Sequence, residues 1–133
     1  MKPGIESAVA SITFVVTSDM TAQLDGREIH PVYGTFWAGY HSEVAARRAI
    51  EPYFDEGENA VGSALSVNHK AMAAVGTSIE VVARVTNVSG NRIVCSVQIL
   101  TCETQSLLAE GTQEQVVLPD AKLQKLVATA HTS

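Results

Sequence analysis

The sequence predicts an α+β domain in which one long helix is wrapped by a curved antiparallel sheet. One helical segment is expected, roughly Phe36 to Tyr53, and a series of β-rich runs separated by turn signals follows it. The helix is rich in alanine on several faces, and such small side chains let a sheet approach closely, which favours a central position for the helix. At 133 residues, we expect the chain to form one domain, residues 1–133, with a core of its own.

Composition narrows the class of protein. A hydrophobic content of 46% with 17% charged residues is typical of a globular chain. The net charge of −5 and the scattered lysines and arginines disfavour a nucleic acid as the main partner. No stretch approaches 18 apolar residues without a charge, and the opening "MKPGIESAVA" lacks the apolar core of a signal peptide. We therefore expect no membrane span and a cytoplasmic location.

The chain before and through the helix contains few clear signals. "SITFVV" (Ser11–Val16) predicts a short strand. Residues 17–31 contain the turn signal "LDG" and are interpreted as irregular or a short helical turn. The helix is expected to end near Pro52, where "DEGEN" supplies turn-forming residues.

Four runs after the helix predict strands: "AVGSALSVNH" (Ala60–His69), "SIEVVARVTNV" (Ser78–Val88), "RIVCSVQILT" (Arg92–Thr101) and "LLAEGTQEQVVL" (Leu107–Leu118). Alternation places one apolar set on a single face of the second and third runs: Ile79, Val81, Ala83, Val85, Ile93, Cys95, Val97 and Ile99. The tail from Pro119 is expected to form a weak helix. Such a sheet has an open edge, for which dimerisation is one solution.

The two cysteines, Cys95 and Cys102, lie in the third of these runs and the turn after it. In one continuous strand, a spacing of seven residues would point their side chains to opposite faces. We therefore expect two free thiols, as in a reducing compartment.

Glu43 is the most informative candidate residue, because it lies among small apolar residues near the start of the predicted helix. A buried carboxylate is costly unless it is paired or used. One interpretation is an ion pair with Arg47, four residues later on the helix. The other is a general base or nucleophile near a helix start, where the helix dipole favours an anion. The residues alone leave both interpretations open.

Thr35 and His69 are weaker candidates. A lone histidine at the end of a strand is usually structural. Thr35 would lie about 12 Å from Glu43 along a regular helix, so sharing a site with it requires Thr35 to lie in the preceding turn. The alternative interpretation of Thr35 is a helix N-cap. No metal site is predicted, because the chain has no HExxH, no CxxC and no ligand cluster at suitable spacing.

Taken together, the spacings resemble one family. Residues 33–76 contain a Thr, a Glu eight residues later, a Pro-Tyr and an acidic turn. A Gly then lies seven residues before a His, and another Gly lies seven residues after that His. These residues are Thr35, Glu43, Pro52, Tyr53, Gly62, His69 and Gly76. This pattern resembles the hotdog-fold thioesterases, specifically the fluoroacetyl-CoA thioesterase-like branch. "EGTQEQ" resembles the Gly-Thr-x-Glu element in the last strand of that family.

The resemblance implies an acyl-CoA thioesterase with a hotdog fold, acting on a small or medium acyl group as a homodimer or higher homo-oligomer with sites near the interface. It implies catalytic Thr35, Glu43 and His69, and substrate contacts from Gly62, Phe36 and Gln115. The fluoroacetyl-specific enzyme has an Arg where this chain has Gln115, so fluoroacetyl specialisation is not expected. Coenzyme A enters as part of the substrate, and no other cofactor is expected.

The chemistry itself needs a nucleophile and stabilisation of the carbonyl oxygen, for which free N–H groups at the helix start, near Gly39, are candidates. Two other functions remain open from the sequence. One is a hotdog acyl-CoA hydratase or dehydratase, and the other is a non-catalytic module that binds an acyl ligand.

Overall fold

The computed structural model describes residues 1–132, which form seven strands and two α-helices. The strands are β1 (Val9–Val15), β2 (Thr21–Leu24), β3 (Arg27–Tyr33), β4 (Glu58–His69), β5 (Ser78–Ser89), β6 (Arg92–Thr101) and β7 (Leu107–Pro119). The helices are α1 (Thr35–Ile50) and α2 (Asp120–Ala128). Single 3-10 turns lie at Ile5–Ser7, Ser18–Met20 and Glu51–Tyr53.

Five strands form one antiparallel sheet in the order β1-β5-β6-β7-β4, and α1 packs against one face of it. The alternation in β5 and β6 is confirmed, because their predicted inward side chains are all buried: Ile79, Val81, Ala83, Val85, Ile93, Cys95, Val97 and Ile99. Alanines on α1 are buried against this face and keep the helix close to the sheet: Ala38, Ala45, Ala46 and Ala49. The predicted fold class is confirmed.

The interpretation of residues 17–31 as irregular or a short helical turn holds only for the 3-10 turn Ser18–Met20. The rest of this stretch contains β2 and most of β3, which pair as a separate two-stranded hairpin. The turn between the strands is Asp25-Gly26, with φ values of 53° and 77°. A two-residue turn with both residues left-handed matches the twist of a hairpin, and Asp-Gly is a preferred sequence for it. The turn signal was therefore visible in the sequence. The strands were missed because most of their side chains are exposed and show no apolar alternation.

Two boundaries also differ from the prediction. The α-helix ends at Ile50, and the predicted last turn is the 3-10 turn Glu51–Tyr53. Pro52 explains the change, because it has no N–H to continue the α-helical ladder. Cys102 lies in the turn after β6, so the strand alternation argument does not apply to it, although both cysteines are free thiols.

Strand β4 forms one edge of the large sheet, paired with β7 on its inner side only. Most of its side chains are exposed, including Val61 and Leu65. The C-terminal helix α2 has no buried residue. Neither helix in residues 1–132 has the length and apolar character needed to cross a membrane.

Candidate active site

An open groove runs between α1 and the edge strand β4. We call it the α1–β4 groove, and its lining residues are Thr35, Phe36, Gly39, Tyr40, Glu43, Leu65 and Val67. Thr35, Gly39 and Glu43 share one face of α1 because they are four residues apart. Gly39 allows close approach of the strand, since a Cβ there would lie 3.1 Å from Cδ2 of Leu65.

Thr35 lies at one end of the groove and contacts His69. Its Oγ1 is 2.9 Å from Nδ1 of His69, the last residue of β4. Thr35 is the first residue of α1, and the N-cap position belongs to Gly34. A Cβ on Gly34 would lie 3.0 Å from the carbonyl oxygen of Thr21, so glycine lets β2 pass close to the helix start. The N-cap interpretation of Thr35 is therefore wrong, and its hydroxyl is free to bond the imidazole.

The second nitrogen of His69 is enclosed. Among residues 1–132, His69 Nε2 is the one fully buried side-chain polar atom that lacks a hydrogen-bond partner. The buried ring of Tyr33 lies near the imidazole, at 6.2 Å between centroids and an interplanar angle of 72°. Nε2 is buried, so His69 contacts the groove through the hydrogen bond between its Nδ1 and Thr35.

Glu43 lies at the other end of the groove. Its carboxylate packs on Gly62 of β4, where an added Cβ would lie 2.9 Å from both carboxylate oxygens. The expectation that Glu43 is buried is wrong, because the side chain is exposed in the single chain. Its two neighbours Phe36 and Tyr40 are also exposed, at 73% and 54%.

The interpretation of Glu43 as an ion-pair partner of Arg47 is also wrong. The Arg47 guanidinium bonds Glu51 at 2.7 Å, Asn59 at 2.7 Å and the carbonyl of Ala60 at 3.1 Å. Within the described part of the chain, the Glu43 carboxylate makes no hydrogen bond or ion pair. A carboxylate without a structural partner is available for chemistry.

The three predicted catalytic residues do not meet in one chain. Both Thr35 and Glu43 lie within α1, so about 12 Å of helix separates them along the axis. His69 accompanies Thr35, whereas Gly62 accompanies Glu43. The condition that Thr35 lies in the turn before the helix is not met. The roles of these side chains stay predictions.

Of the other predicted site residues, Gly39 and Phe36 line the groove, whereas Gln115 does not. Gln115 of β7 is buried, lies opposite Gly62 in the strand register, and donates a hydrogen bond of 2.9 Å to Gln113. Gly39 is the fifth residue of α1, and the N–H of Ala38 before it already bonds the carbonyl of Gly34. The free N–H groups of the helix start therefore belong to Thr35, Phe36 and Trp37, one turn before Gly39.

Sequence reasoning missed a buried pair beside His69. Tyr33 Oη lies 2.7 Å from His41 Nδ1, and the His41 ring stacks on Phe14 with centroids 4.0 Å apart. One signal was available, because His41 shares a helix face with Ala38 and Ala45, both of which are buried. Nothing in the sequence indicated its partner, which comes from the preceding strand.

The family model of FlK, fluoroacetyl-CoA-specific thioesterase, matches residues 16–121. The chain belongs to this thioesterase family. A curated member, the fluoroacetyl-CoA thioesterase of Streptantibioticus cattleyicolor, is 30% identical over 91 residues. That match covers 68% of this chain and 64% of the relative, so the chain spans a little under two thirds of the relative's length. The resemblance found in the sequence is confirmed.

Solved structures agree with the assignment to the FlK family. A thioesterase superfamily member from Thermus thermophilus superposes with a TM-score of 0.90 at 38% identity, covering 96% of this chain and 93% of that one. A structure of FlK itself gives a TM-score of 0.83 at 25% identity, with 95% and 96% covered. A hot-dog-like protein from Thermanaerovibrio acidaminovorans, at 22% identity and a TM-score of 0.85, supports the fold alone.

Proposed function

We propose that this protein hydrolyses acyl-CoA thioesters to a carboxylic acid and free coenzyme A, as a homodimer in which each active site draws on both subunits. The observation that carries the proposal is the division of the groove, with the Thr35–His69 pair at one end and an unpaired Glu43 carboxylate at the other. Membership of the FlK family supports thioester chemistry. FlK variants have been solved with acetyl-CoA, and with fluoroacetate and CoA.

The open edge of β4 supports the proposed dimer. Two copies of an edge strand can pair antiparallel about a two-fold axis, which buries both sets of free backbone groups. An axis midway between Gly62 and His69 would bring the Gly62 end of one strand to the His69 end of the other. Glu43 of the partner subunit would then lie beside Thr35 and His69. The exposed apolar side chains of Phe36, Tyr40 and Leu65 would be covered at the same time.

The chemistry proceeds at the thioester carbonyl. In one route, the Glu43 carboxylate forms a bond to the carbonyl carbon, the carbon–sulfur bond breaks, and coenzyme A leaves as a thiolate. Water then hydrolyses the mixed anhydride and regenerates the carboxylate. In the other route, Glu43 takes a proton from a water molecule that attacks the carbonyl directly, the carbon–sulfur bond breaks, and the proton passes from Glu43 to the departing coenzyme A thiolate or to solvent. Both routes use only side chains and water, with coenzyme A as part of the substrate.

The Thr35–His69 pair would assist either route. The Thr35 hydroxyl is the exposed member of the pair and can hydrogen-bond the attacking water or the acyl group, while His69 Nδ1 fixes its direction. Free N–H groups in the first turn of α1 lie beside Thr35 and are suited to stabilise the developing oxyanion. Gly62 and Gln115 lie at the Glu43 end and would border the acyl group.

The acyl group is proposed to be small or medium in size. Phe36 lines the α1–β4 groove, and Trp37 lines an adjacent groove between β2 and the helix start, so both present aromatic surface beside Thr35. We also propose a cytoplasmic location, because both cysteines are free thiols, as in proteins of reducing compartments.

Hybrid dimers test the composite site. Glu43→Ala and His69→Ala chains carrying different tags are co-expressed, and the mixed dimer is isolated by two affinity steps. A composite site predicts about half of the wild-type turnover per dimer, because one of the two sites then has every group intact. Sites contained in one chain predict an inactive hybrid, which would overturn the composite arrangement. Light scattering that gives a folded monomer of 14.1 kDa would overturn the dimer.

A panel of acyl-CoA substrates with free-thiol detection tests the reaction. Release of coenzyme A from saturated acyl-CoA supports hydrolysis. Binding without turnover would instead indicate a ligand-binding module, and hydration of an enoyl-CoA would indicate a hydratase. Single turnover in water labelled with oxygen-18 tests the anhydride route, because the label enters the Glu43 carboxylate only if an anhydride forms and water attacks its glutamyl carbonyl.

A further inference from the structure

A buried polar pair lies directly behind the Thr35–His69 end of the groove. Tyr33 is 1% exposed and His41 is 7% exposed, and their side chains are joined by a hydrogen bond of 2.7 Å. Neither residue reaches the groove, so neither can touch a substrate. Both belong to elements that meet at the helix start, since Tyr33 ends β3 and His41 lies in the second turn of α1.

Tyr33 and His41 form a hydrogen bond between uncharged side chains in an apolar environment. Burial lowers the pKa of His41, an effect partly offset by a hydrogen bond to the backbone of Trp37, and burial raises the pKa of Tyr33. The ring of Phe14 stacks on His41 at 4.0 Å and lies 6.0 Å from Tyr33. A neutral, enclosed hydrogen bond of this kind fixes geometry, because a buried polar group left without its partner is costly.

The Tyr33 ring connects the pair to His69. Its centroid lies 6.2 Å from the imidazole centroid in an edge arrangement, within the range of aromatic pairs that prefer a defined geometry. His69 has one hydrogen bond, to Thr35, and its Nε2 has no partner among the described residues. A single hydrogen bond leaves the ring free to rotate about it, so the orientation of the imidazole depends on what packs behind it.

Tyr33 is also held along the backbone. Its N–H donates to the carbonyl of Ala73 at 2.9 Å, and the N–H of Gly34 donates to the carbonyl of Met20 at 2.9 Å. Thr35 follows immediately. Tyr33, which packs behind His69, is therefore only two residues before Thr35, which hydrogen-bonds His69.

We infer that Tyr33 and His41 form a positioning pair for His69, in which the Tyr33 ring holds the imidazole against Thr35 and the His41 hydrogen bond holds the Tyr33 ring. The inference rests on the proposed function for its kinetic consequences. The pair takes no part in bond making, and its two members act through a single contact. Removing either member should therefore have the same effect on the reaction.

Four variants and their combination test the pair. Tyr33→Phe keeps the ring and removes the hydroxyl, and His41→Leu removes the imidazole that shares the hydrogen bond. His41→Asn places an amide atom close to the position of Nδ1 and serves as the rescue variant. Val81→Ala, in the core on β5, is a matched control for lost stability without a change near His69. The kcat and KM for an acyl-CoA are measured below the Tm of every variant, and the His69 ring signals are followed by NMR.

The expected result is a fall in kcat of about tenfold for Tyr33→Phe and for His41→Leu with little change in KM, as for a small displacement of a reacting group. The double variant should be no slower than either single variant, and His41→Asn should recover most of the rate. The His69 signals should move in both single variants and stay in place in Val81→Ala.

The inference is overturned if Tyr33→Phe and His41→Leu lose stability like Val81→Ala but keep the wild-type kcat and His69 signals. It is equally overturned if their effects on kcat multiply in the double variant, because independent sites behave in that way. Absence of thioesterase activity in the wild type would contradict the proposed function alone, since the His69 signals still report whether the pair orients the ring.

Discussion

The two ends of the α1–β4 groove differ in how completely one chain organises them. At the Thr35 end, the hydroxyl bonds His69, and the Tyr33 ring, which is hydrogen-bonded to His41, lies behind the imidazole. At the Glu43 end, the carboxylate is exposed, makes no hydrogen bond within residues 1–132, and packs on the backbone of Gly62. The Thr35 end is fixed by contacts within the chain, whereas the Glu43 end holds an exposed carboxylate.

The difference has a physical reason. A hydroxyl and an imidazole can each satisfy the other by a hydrogen bond, so a single chain can enclose them at little cost. A carboxylate is costly to enclose without compensating donors, and it keeps its reactivity only if no cation neutralises it. Exposure in the single chain solves both problems, because a second subunit and the substrate can cover Glu43 at the moment of use. The Thr35 end of the groove is therefore organised within one chain, whereas the Glu43 end would be completed by the second subunit of the proposed dimer.

The largest effect is expected from removing either reactive group. Glu43→Ala and His69→Ala should each lower kcat by about a hundredfold or more, the usual scale for a positioned acid–base group. Their effects on stability should differ. Glu43→Ala should leave the Tm within about 2 °C of wild type because the side chain is exposed and unbonded, whereas His69→Ala leaves a void beside Tyr33 and should lower it.

Steady-state kinetics and thermal unfolding of the same preparations check both statements. A folded variant of either residue with wild-type turnover would remove it from the mechanism. A large loss of Tm in Glu43→Ala would show that the carboxylate already has a structural role in the assembled protein.

A smaller effect is expected from filling the space beside Glu43. In Gly62→Ala, the new methyl group would lie 2.9 Å from both carboxylate oxygens, so the Glu43 side chain must move. A displacement of about 1 Å should lower kcat between about tenfold and a hundredfold. Gly39→Ala is the comparison variant, because it adds the same methyl group to the groove but places it 3.1 Å from Cδ2 of Leu65 and not against the Glu43 carboxylate. Equal kinetics for the two variants would show that the position of Glu43 against Gly62 is unimportant.

Removing the Thr35 hydroxyl should lower kcat less than Gly62→Ala does. Thr35→Ala should slow kcat about tenfold, close to the free energy of one hydrogen bond, because Tyr33 still packs behind His69. Thr35→Ser keeps the hydroxyl and should retain most of the rate. A loss in Thr35→Ala as large as that in His69→Ala would show that Thr35 itself makes or breaks a bond.

The sequence predicted the rigid parts of the fold better than the groove. Alternation in β5 and β6 reports burial directly, so Ile79 and Ile93 were placed correctly. The β2–β3 hairpin was missed because its exposed strands carry no such pattern. For the groove, the spacings selected Thr35, Glu43 and His69 as candidates, but they left open whether Thr35 lies in α1 or in the turn before it. Pairing between His41 and Tyr33 depends on where β3 ends in space, which no local pattern records.

The smallest effect concerns the choice of acyl group at the Glu43 end. We expect kcat/KM for fluoroacetyl-CoA and acetyl-CoA to agree within about tenfold, because replacing one hydrogen by fluorine changes size less than adding a methylene, which itself contributes only about 1–3 kcal/mol. Strong discrimination requires a polar group directed at the substituent. The resemblance in the sequence implies an arginine at this position in the fluoroacetyl-specific enzyme, whereas this chain has Gln115.

Gln115 is poorly suited to that task. Its amide donates to Gln113, which in turn donates to the carbonyl of Glu114 at 3.0 Å, so one of its two N–H donors is already used within β7. The amide is uncharged, whereas a guanidinium offers several charged donors in a fixed plane. Comparing fluoroacetyl-, acetyl-, butyryl- and phenylacetyl-CoA on one preparation checks the prediction, with the conservative variant Gln115→Glu as a control for the local charge. A preference for fluoroacetyl above about a thousandfold, well beyond what one methylene provides, would show that discrimination does not need the arginine.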